Sequence, residues 1–454
     1  MKKYDVIIIG GGPSAIIAGI TGIKQSKDKS FLMIKEDEKG LVPCGIPYIF
    51  HDLGDVSKNE MEPKGFVNAG GEVLIDHVNS VDTKNKKVET DKGKTFKYEK
   101  LVFATGSVPI EPKFIEGGGL EGVVYIKKRY DYIKDLKAKT DNAKKIAIIG
   151  GGFIGCEFAD QLVKFKDKEI SIVEMQEHCL FQAFSPDIAQ QADEALEHAG
   201  VKVYTNSKVK KVIDQNGRAI GVELDNGAIF DADLIICSIG SIPNTKLAKE
   251  AGININKNGA IDVDNYLRTS EKDIFAAGDC SGTIGFITGR TDNVMLASTA
   301  TAEARVLGYN LFNIKLLRNF GGVLSVFSTE LNGKAFASTG AIEQTAKQAN
   351  ISYVIGEFEG VDRHPAAIED SSKLYVRLIV SPGDGSIIGG ELVGGKSIGE
   401  MINIISLAIQ KSVTVYELIS FQVGTHPLLT TSPTQYVLIK AAENAIANIE
   451  ANRN

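Results

Sequence analysis

The chain has 454 residues, of which 43% are apolar and 24% charged, and its formal net charge is -6. This length exceeds what one hydrophobic core sustains and predicts about three domains. The mild acidity argues against nucleic acid or an anionic membrane as a partner, and no apolar run approaches the roughly 18 residues of a spanning helix.

The N-terminal Met1-Lys2-Lys3 leads into the apolar run Val6–Ile9. That run is too short for the core of a secretory leader and reads as a buried first strand, so a cytoplasmic protein is expected. Gly10-Gly11-Gly12-Pro13-Ser14-Ala15 follows, then a helical stretch, then a second strand, Phe31–Ile34. This is a βαβ unit with a G-x-G-x-x-A turn. The first glycine lets the chain turn tightly, the second lets backbone approach a pyrophosphate, and the third position must be small for helix–strand packing. The helix N-terminus then offers free N–H groups and a positive dipole end to the phosphates. An acid is expected at the end of the second strand, where it would hold a ribose hydroxyl. Here that position is Lys35, and Glu36, the next residue, is the candidate acceptor.

Leu101-Val102-Phe103-Ala104-Thr105-Gly106-Ser107 is a strand ending in a turn. The first grammar then returns: strand Lys145–Ile149, the turn Gly150-Gly151-Gly152-Phe153-Ile154-Gly155, a helix, and strand Ile170–Val173. One such turn is weak evidence of a dinucleotide, but two in strand–turn–helix context, with Gly10 and Gly150 standing 140 positions apart, are strong. Glu174 follows the second strand of this unit. A carboxylate there accepts from a ribose 2′-hydroxyl and repels a 2′-phosphate, and Met175-Gln176 brings no arginine, so NADH is expected over NADPH. Ile239-Gly240-Ser241-Ile242-Pro243-Asn244 and Asp273-Ile274-Phe275-Ala276-Ala277-Gly278-Asp279 are further strand-ending turns that taken singly could be structural.

After about residue 322 no glycine fingerprint recurs. Strand-like runs (Val323–Phe327, Tyr375–Val380, Ser386–Val393) alternate with helical patterns such as Ile398–Ile409, and Ser381-Pro382-Gly383-Asp384-Gly385 reads as a hairpin turn. The fold class is α/β: two Rossmann-like dinucleotide-binding domains plus a C-terminal α+β domain. The five cysteines, at 44, 156, 179, 237 and 280, form no CxxC and no metal-type pairing, and the last four stand in contexts that favour plain buried thiols.

Together these motifs resemble the FAD-dependent pyridine nucleotide–disulfide oxidoreductases, over essentially the whole chain. The resemblance rests on both glycine turns, Thr105-Gly106, Gly278-Asp279, and a cysteine shortly after the first turn. It implies an FAD-binding domain over 1–115 and 245–320, an NAD-binding domain over 116–244, and a dimerisation domain over 322–454. It places Gly10, Gly12, Thr105, Gly106 and Asp279 at FAD; the residues themselves add Pro13 and Ser14 of the same turn and Glu36 as candidates, and offer Asp279 as an acceptor for a ribityl hydroxyl. Gly150, Gly152, Gly155, Glu174 and Gly240 fall at NAD, and Phe153, next to the second turn, is the candidate gate for hydride delivery from NADH.

The cysteine segment reads Leu41-Val42-Pro43-Cys44-Gly45-Ile46-Pro47-Tyr48-Ile49-Phe50. Two-cysteine members carry a second cysteine where this chain has Ile49. The segment therefore resembles the single-cysteine branch of coenzyme A–disulfide reductases, polysulfide reductases, NADH oxidases and peroxidases. Cys44 is the expected redox thiol, placed by Pro47 at a helix N-terminus that would lower its pKa.

The histidine that oxidases and peroxidases of this branch carry in the first glycine loop is missing from Gly12-Pro13-Ser14-Ala15. The first-helix arginines of coenzyme A–disulfide reductases are missing too: Ile20-Thr21-Gly22-Ile23-Lys24 holds one lysine. Gly424-Thr425-His426-Pro427 is similar to the His-Pro of two-cysteine reductases, in which the partner subunit's histidine is the acid–base, although Thr431 stands where its orienting glutamate would be. His364, in Asp362-Arg363-His364-Pro365, is a lesser candidate. The favoured expectation is a homodimeric NADH-dependent reductase of small disulfides, persulfides or polysulfides, coenzyme A among the possible carriers, acting through Cys44 and His426. An NADH oxidase or peroxidase is second, and a redox partner passing electrons to a protein acceptor is third.

Overall fold

The computed structural model describes residues 1–112, 115–292, 294–318 and 321–453, so the expected domain ends at 320 and 454 lie outside the described residues. The chain forms two compact units. One comprises Met1–Phe114, Val123–Ala143 and Ile236–Val323, the other Ile115–Gly122, Lys144–Ile235 and Leu324–Asn454.

The first unit is built on one mixed sheet. Strand Lys2–Ile9 lies between the parallel strands Phe31–Lys35 and Thr95–Phe103. Glu72–Ile75 extends the parallel side at one edge, Ile274–Ala276 pairs parallel with Thr95–Phe103, and an antiparallel hairpin of Val78–Asp82 and Lys87–Thr90 completes it. The central strands are nearly continuous apolar runs because both faces are covered. Ile7, Ile9, Leu32, Ile34, Leu101 and Phe103 belong to one core, and Val6, Ile8, Phe31, Met33, Val102 and Ala104 to the other, as the two-residue strand period requires.

Helices Pro13–Gln25 and Ala297–Asn310 cover the second of these cores at close quarters. A Cβ on Gly308 would lie 2.6 Å from Thr21 Cβ and 2.9 Å from the Ala18 carbonyl oxygen. Phe66, fully buried, fills the space left by two other glycines: a Cβ on Gly19 would sit 2.5 Å from its ring, and one on Gly71 2.3 Å from it.

In the second unit, parallel strands Lys145–Ile149, Glu169–Val173 and Lys202–Tyr204 alternate with helices Phe153–Val163 and Pro186–Ala199. Its C-terminal part is a five-stranded antiparallel sheet in the order Val326–Leu331, Lys334–Gly340, Ile387–Gly394, Lys373–Val380, Val354–Val361, with helices Ile398–Gln410 and Val437–Ala451 packed on it. The turn at 381–385 is the hairpin the sequence predicts, closed by Ser381 N–H to the Ser386 carbonyl at 2.9 Å. The strand expected from Val323 begins instead at Val326, because Val323 donates to the Ile284 carbonyl and accepts from Phe286 N–H.

A charged cluster joins the two parts of this unit. Arg377 makes a bidentate pair with Asp187, at 2.9 and 2.8 Å, at the start of helix Pro186–Ala199. Glu391, with no solvent exposure, accepts from both the backbone N–H and the hydroxyl of Ser185 at 2.6 Å. Burial nevertheless pushes the Glu391 carboxyl up to about 7, against the opposing pull of Ser185 and Arg377.

Phe66→Ala should cost about 3–5 kcal/mol of stability in urea unfolding, and Phe66→Leu clearly less. The Glu391 carboxyl binds its proton more tightly folded, at about 7, than at its ordinary 4.5. Its contribution is therefore complete below pH 4.5 and is lost as pH rises through 7. Glu391→Gln should flatten the fall in melting temperature across that window.

Candidate functional site

The first glycine turn is shaped by contact between backbones. Gly10 adopts φ +123°, donates to the Ile34 carbonyl at 2.8 Å, and would place a Cβ 2.1 Å from the Ala104 carbonyl oxygen. Gly12 caps the following helix with no side-chain bond, Pro13 opens it, and its first turn carries no acid. A Cβ on Gly12 would meet nothing within 4 Å. The result is an open cradle of backbone N–H groups at a positive helix end, the chemistry that a dinucleotide pyrophosphate requires. Ser14 is buried in this first turn, and a Cβ on Gly278 would lie 2.7 Å from its hydroxyl, so the Gly278-Asp279 loop returns to the same place.

The second turn repeats the device. Gly150 adopts φ +105° and donates to the Val173 carbonyl at 2.8 Å. Gly152 caps its helix without a side chain and has open space at its Cα, while Gly155 is buried. Glu174 accepts from Gly151 N–H and Gln176 N–H, both at 2.7 Å, so its carboxylate is locked beside the turn. Phe153 is stacked on Phe327 with centroids 5.0 Å apart and planes at 18°. Glu157, one helical turn further, accepts from Thr329 at 3.0 Å, and burial pushes it up to about 7.

Lys35 occupies the place in the first unit that Glu174 holds in the second. Its carbons would lie 2.9–3.0 Å from a Cβ on Gly11, and its ammonium donates to the Glu38 carbonyl at 3.1 Å. Burial pushes its pKa down. Glu36 is bound by Arg129 at 2.8 Å and lies 3.6 Å from His77, and Asp37 takes the other arm of Arg129 at 2.9 Å.

Thr105 and Gly106 are tied to the segment after Gly240: Thr105 donates to the Asn244 carbonyl at 2.6 Å, and Asn244 N–H to that of Gly106 at 2.9 Å. Gly240 itself lies in the first unit and accepts from Ile110 N–H. Asp279 accepts from Ser107 at 2.7 Å and from Lys128 at 3.0 Å. Beneath it, Glu303 accepts from Gly278 N–H at 3.3 Å and Ser281 at 3.4 Å, and burial pushes it up to about 7. Ser107, Lys128, Arg129, Glu157 and Glu303 were not singled out by sequence reasoning. Apart from Ser107, which ends the turn after Thr105-Gly106, they belong to no motif, and their roles are marked only by long-range partners.

Cys44 is exposed, whereas Cys156, Cys179, Cys237 and Cys280 are buried. Burial pushes the Cys237 thiol up to about 12 and raises that of Cys280. The expected helix N-terminus at Cys44 is not there. Two 3₁₀ turns, Pro43–Gly45 and Pro47–Phe50, stand in its place, because Pro47 has no N–H to continue a helix from Pro43. So short a turn cannot sum to a helix dipole. The Cys44 turn is held instead by Asn59, which is buried and donates to the Val42 carbonyl at 3.0 Å. A Cβ on Gly45 would lie 2.1 Å from the Asn59 side-chain oxygen, so a larger residue after the cysteine would displace the Asn59 amide. Ile49 is fully buried.

His426 is exposed, and its Nδ1 accepts from Leu428 N–H at 3.2 Å, which leaves Nε2 as the protonated nitrogen of the neutral ring. His364 donates from Nδ1 to the Thr430 carbonyl at 2.9 Å, so both histidines bear on the loop 426–430. Among the described residues there is no cluster of potential metal ligands, and no helix is long and apolar enough to cross a membrane.

Comparison with known proteins gives this geometry a family. Residues 4–304 match the pyridine nucleotide-disulphide oxidoreductase model, and residues 332–436 match the dimerisation domain of the same family. An NADH oxidase of Methanocaldococcus jannaschii is 31% identical over 98% of this chain and 99% of its own length. An NAD(P)H coenzyme A polysulfide/persulfide reductase of Pyrococcus horikoshii is 29% identical over 87% of this chain and 88% of its own. The solved NAD-dependent persulfide reductase from A. fulgidus superposes with a TM-score of 0.89 at 27% identity, covering 98% of this chain and 84% of that one. Two dinucleotide cradles, an α+β C-terminal fold and full-length similarity converge: the chain belongs to the pyridine nucleotide-disulphide oxidoreductases and is an FAD- and NAD(P)H-dependent oxidoreductase.

Proposed function

We propose that the protein is an NADH-dependent reductase of small disulfides, persulfides or polysulfides, working as a homodimer through the single thiol of Cys44. The observation that carries this reading is the state of the five cysteines: Cys44 is exposed on a turn that Asn59 and Gly45 hold, and the other four are buried. Buried Ile49 supports a one-cysteine mechanism, since it stands where a local partner thiol would be. The similarity to persulfide and polysulfide reductases supports the sulfur substrate.

The first cradle, Gly10 to Ser14 with Thr105, Gly106 and Asp279, would hold FAD, with Glu36 near its ribose. The second, Gly150 to Gly155 with Glu174, would hold NADH, with Phe153 over the nicotinamide. Bound FAD would supply the relay of two electrons from the nicotinamide to sulfur. Cys44 attacks one sulfur of the substrate as a thiolate, forming a mixed disulfide and releasing the other sulfur as a thiolate or sulfide. His426 of the partner subunit, after taking a second proton from solvent on Nδ1 in place of its contact with Leu428 N–H, gives that leaving group a proton from Nε2 and returns to the neutral ring. Two electrons then restore the Cys44 thiolate and free the retained sulfur. Glu174, fixed by two backbone N–H groups, supports a preference for NADH because a 2′-phosphate would meet its charge. Exposed apolar residues at Leu407, Tyr416, Ile419, Phe421, Leu428 and Leu429 support self-association through the C-terminal part.

A second reading is NADH oxidase, favoured by the full-length similarity to the Methanocaldococcus jannaschii protein. Oxygen uptake matched to NADH consumption, with no sulfur acceptor present, would establish it.

Cys44→Ser should abolish NADH-driven reduction of disulfide or polysulfide while NADH still bleaches the flavin absorbance. Sulfur turnover by that variant would refute the thiol mechanism. Wild-type kcat/KM should favour NADH over NADPH at least tenfold, and Glu174→Ala should narrow the gap; a wild-type preference for NADPH would overturn the assignment of Glu174.

A further inference from the structure

The two glycine turns can be superposed in register, and the comparison isolates one difference. In the second turn Gly150 N–H bonds to Val173, and the next residue, Glu174, packs on Gly151 and accepts its N–H at 2.7 Å. In the first, Gly10 N–H bonds to Ile34, and the next residue, Lys35, packs on Gly11. Lys35 offers no acceptor, and its ammonium is turned away to the Glu38 carbonyl. The nearest carboxylates along the chain are Glu36 and Asp37, and one guanidinium holds both: Arg129 reaches Glu36 at 2.8 Å and Asp37 at 2.9 Å through its two terminal nitrogens.

We propose that Arg129 is a positioning residue for FAD, fixing Glu36 as the acceptor for the adenosine ribose in place of the acid that Lys35 has displaced. This rests on the reading that the first turn takes FAD. A lone Glu36 on the loop after the strand would be mobile, with its side chain half exposed. The planar fork of arginine ties it to Asp37 in a fixed geometry that a lysine would hold less well. One oxygen of Glu36 meets Arg129 and the other lies toward His77 at 3.6 Å, so a carboxylate with four lone-pair sites keeps acceptor capacity for a hydroxyl. The backbone of Arg129 stands at the N-cap position of helix Tyr130–Asn142, which sets where its side chain starts from. The preceding Lys128 binds Asp279 and Ser107, so consecutive residues of one segment hold both acids that the sequence assigns to the cofactor. Fold stability does not account for the arrangement, because ion pairs this exposed add little to it.

The test is the rate of FAD release from the diluted holoenzyme, followed by recovery of flavin fluorescence. It compares FAD with an analogue lacking the 2′-hydroxyl of the adenosine ribose. In the wild type the analogue should leave about tenfold faster than FAD, the worth of one charge-assisted hydrogen bond. Arg129→Met and Glu36→Gln should each speed FAD release about tenfold and bring the analogue-to-FAD ratio near one. The double variant should be no faster than the faster single, and Arg129→Lys should recover part of the loss. An unchanged ratio in Arg129→Met, or two effects that multiply, would overturn the proposal. Gly12→Asp tests the reading beneath it, because it sets a charge in the cradle without a clash. If Gly12→Asp leaves FAD release unchanged, the first turn is not the FAD site. If it speeds release while Arg129→Met does not, the role of Arg129 alone fails.

Discussion

Backbone meets backbone at the first glycine turn, and much of the first unit is arranged around that approach. The Gly10 Cα faces the Ala104 carbonyl so closely that a Cβ would lie 2.1 Å from its oxygen. The contact brings the end of strand Lys2–Ile9 against the end of strand Thr95–Phe103, in the parallel register that pairs Ile9 with Phe103. It also sets where helix Pro13–Gln25 begins, and hence where its free N–H groups point. Helix Ala297–Asn310 then lies against the first helix through Gly308, and the Gly278-Asp279 loop is set against Ser14. The second unit applies the same constraint at Gly150, with φ +105°. Two phosphate cradles are thus products of steric exclusion before any charge is considered.

Charge acts on a different scale. Carboxylates stand near both turns, but their environments separate them. Glu174 is stabilised by two backbone N–H groups and is held as an acceptor. Glu157 and Glu303 are pushed up to about 7 by burial, so near neutral pH they take up or give up protons inside the protein. Three consecutive cations, Lys127, Lys128 and Arg129, reach Glu111, Asp279 and the Glu36–Asp37 pair respectively. A segment that looks like an ordinary basic stretch in the sequence is, in the fold, a row of cations each paired with a distant carboxylate.

The thiol illustrates how local geometry departs from an analogy. Two prolines spaced four residues apart break the segment around Cys44 into 3₁₀ turns, so the cysteine lacks a long helix beneath it. Its position comes from packing: Asn59 grips the Val42 carbonyl, and Gly45 leaves room for the Asn59 amide. Ile46, Ile49 and Phe50 anchor the same segment in the core. Exposure, and not a helix dipole, is what distinguishes Cys44 from the other four cysteines.

The sequence by itself determined the two βαβ units, the α+β character of the C-terminal part, and the family. Each depends on periodicity and on glycines at fixed spacing, which are properties of neighbouring residues. It also marked Lys35 as an anomaly and singled out Cys44 among five cysteines. It could not show that Arg129 pairs with Glu36 and Asp37, that Lys128 and Ser107 share Asp279, or that Arg377 and Glu391 bind the segment at Ser185 and Asp187. Those partners lie from about ninety to about two hundred positions apart in the chain, and no local pattern records them. Only the tertiary structure decides such pairs, because burial and distance fix which charges must be met and by which side chain.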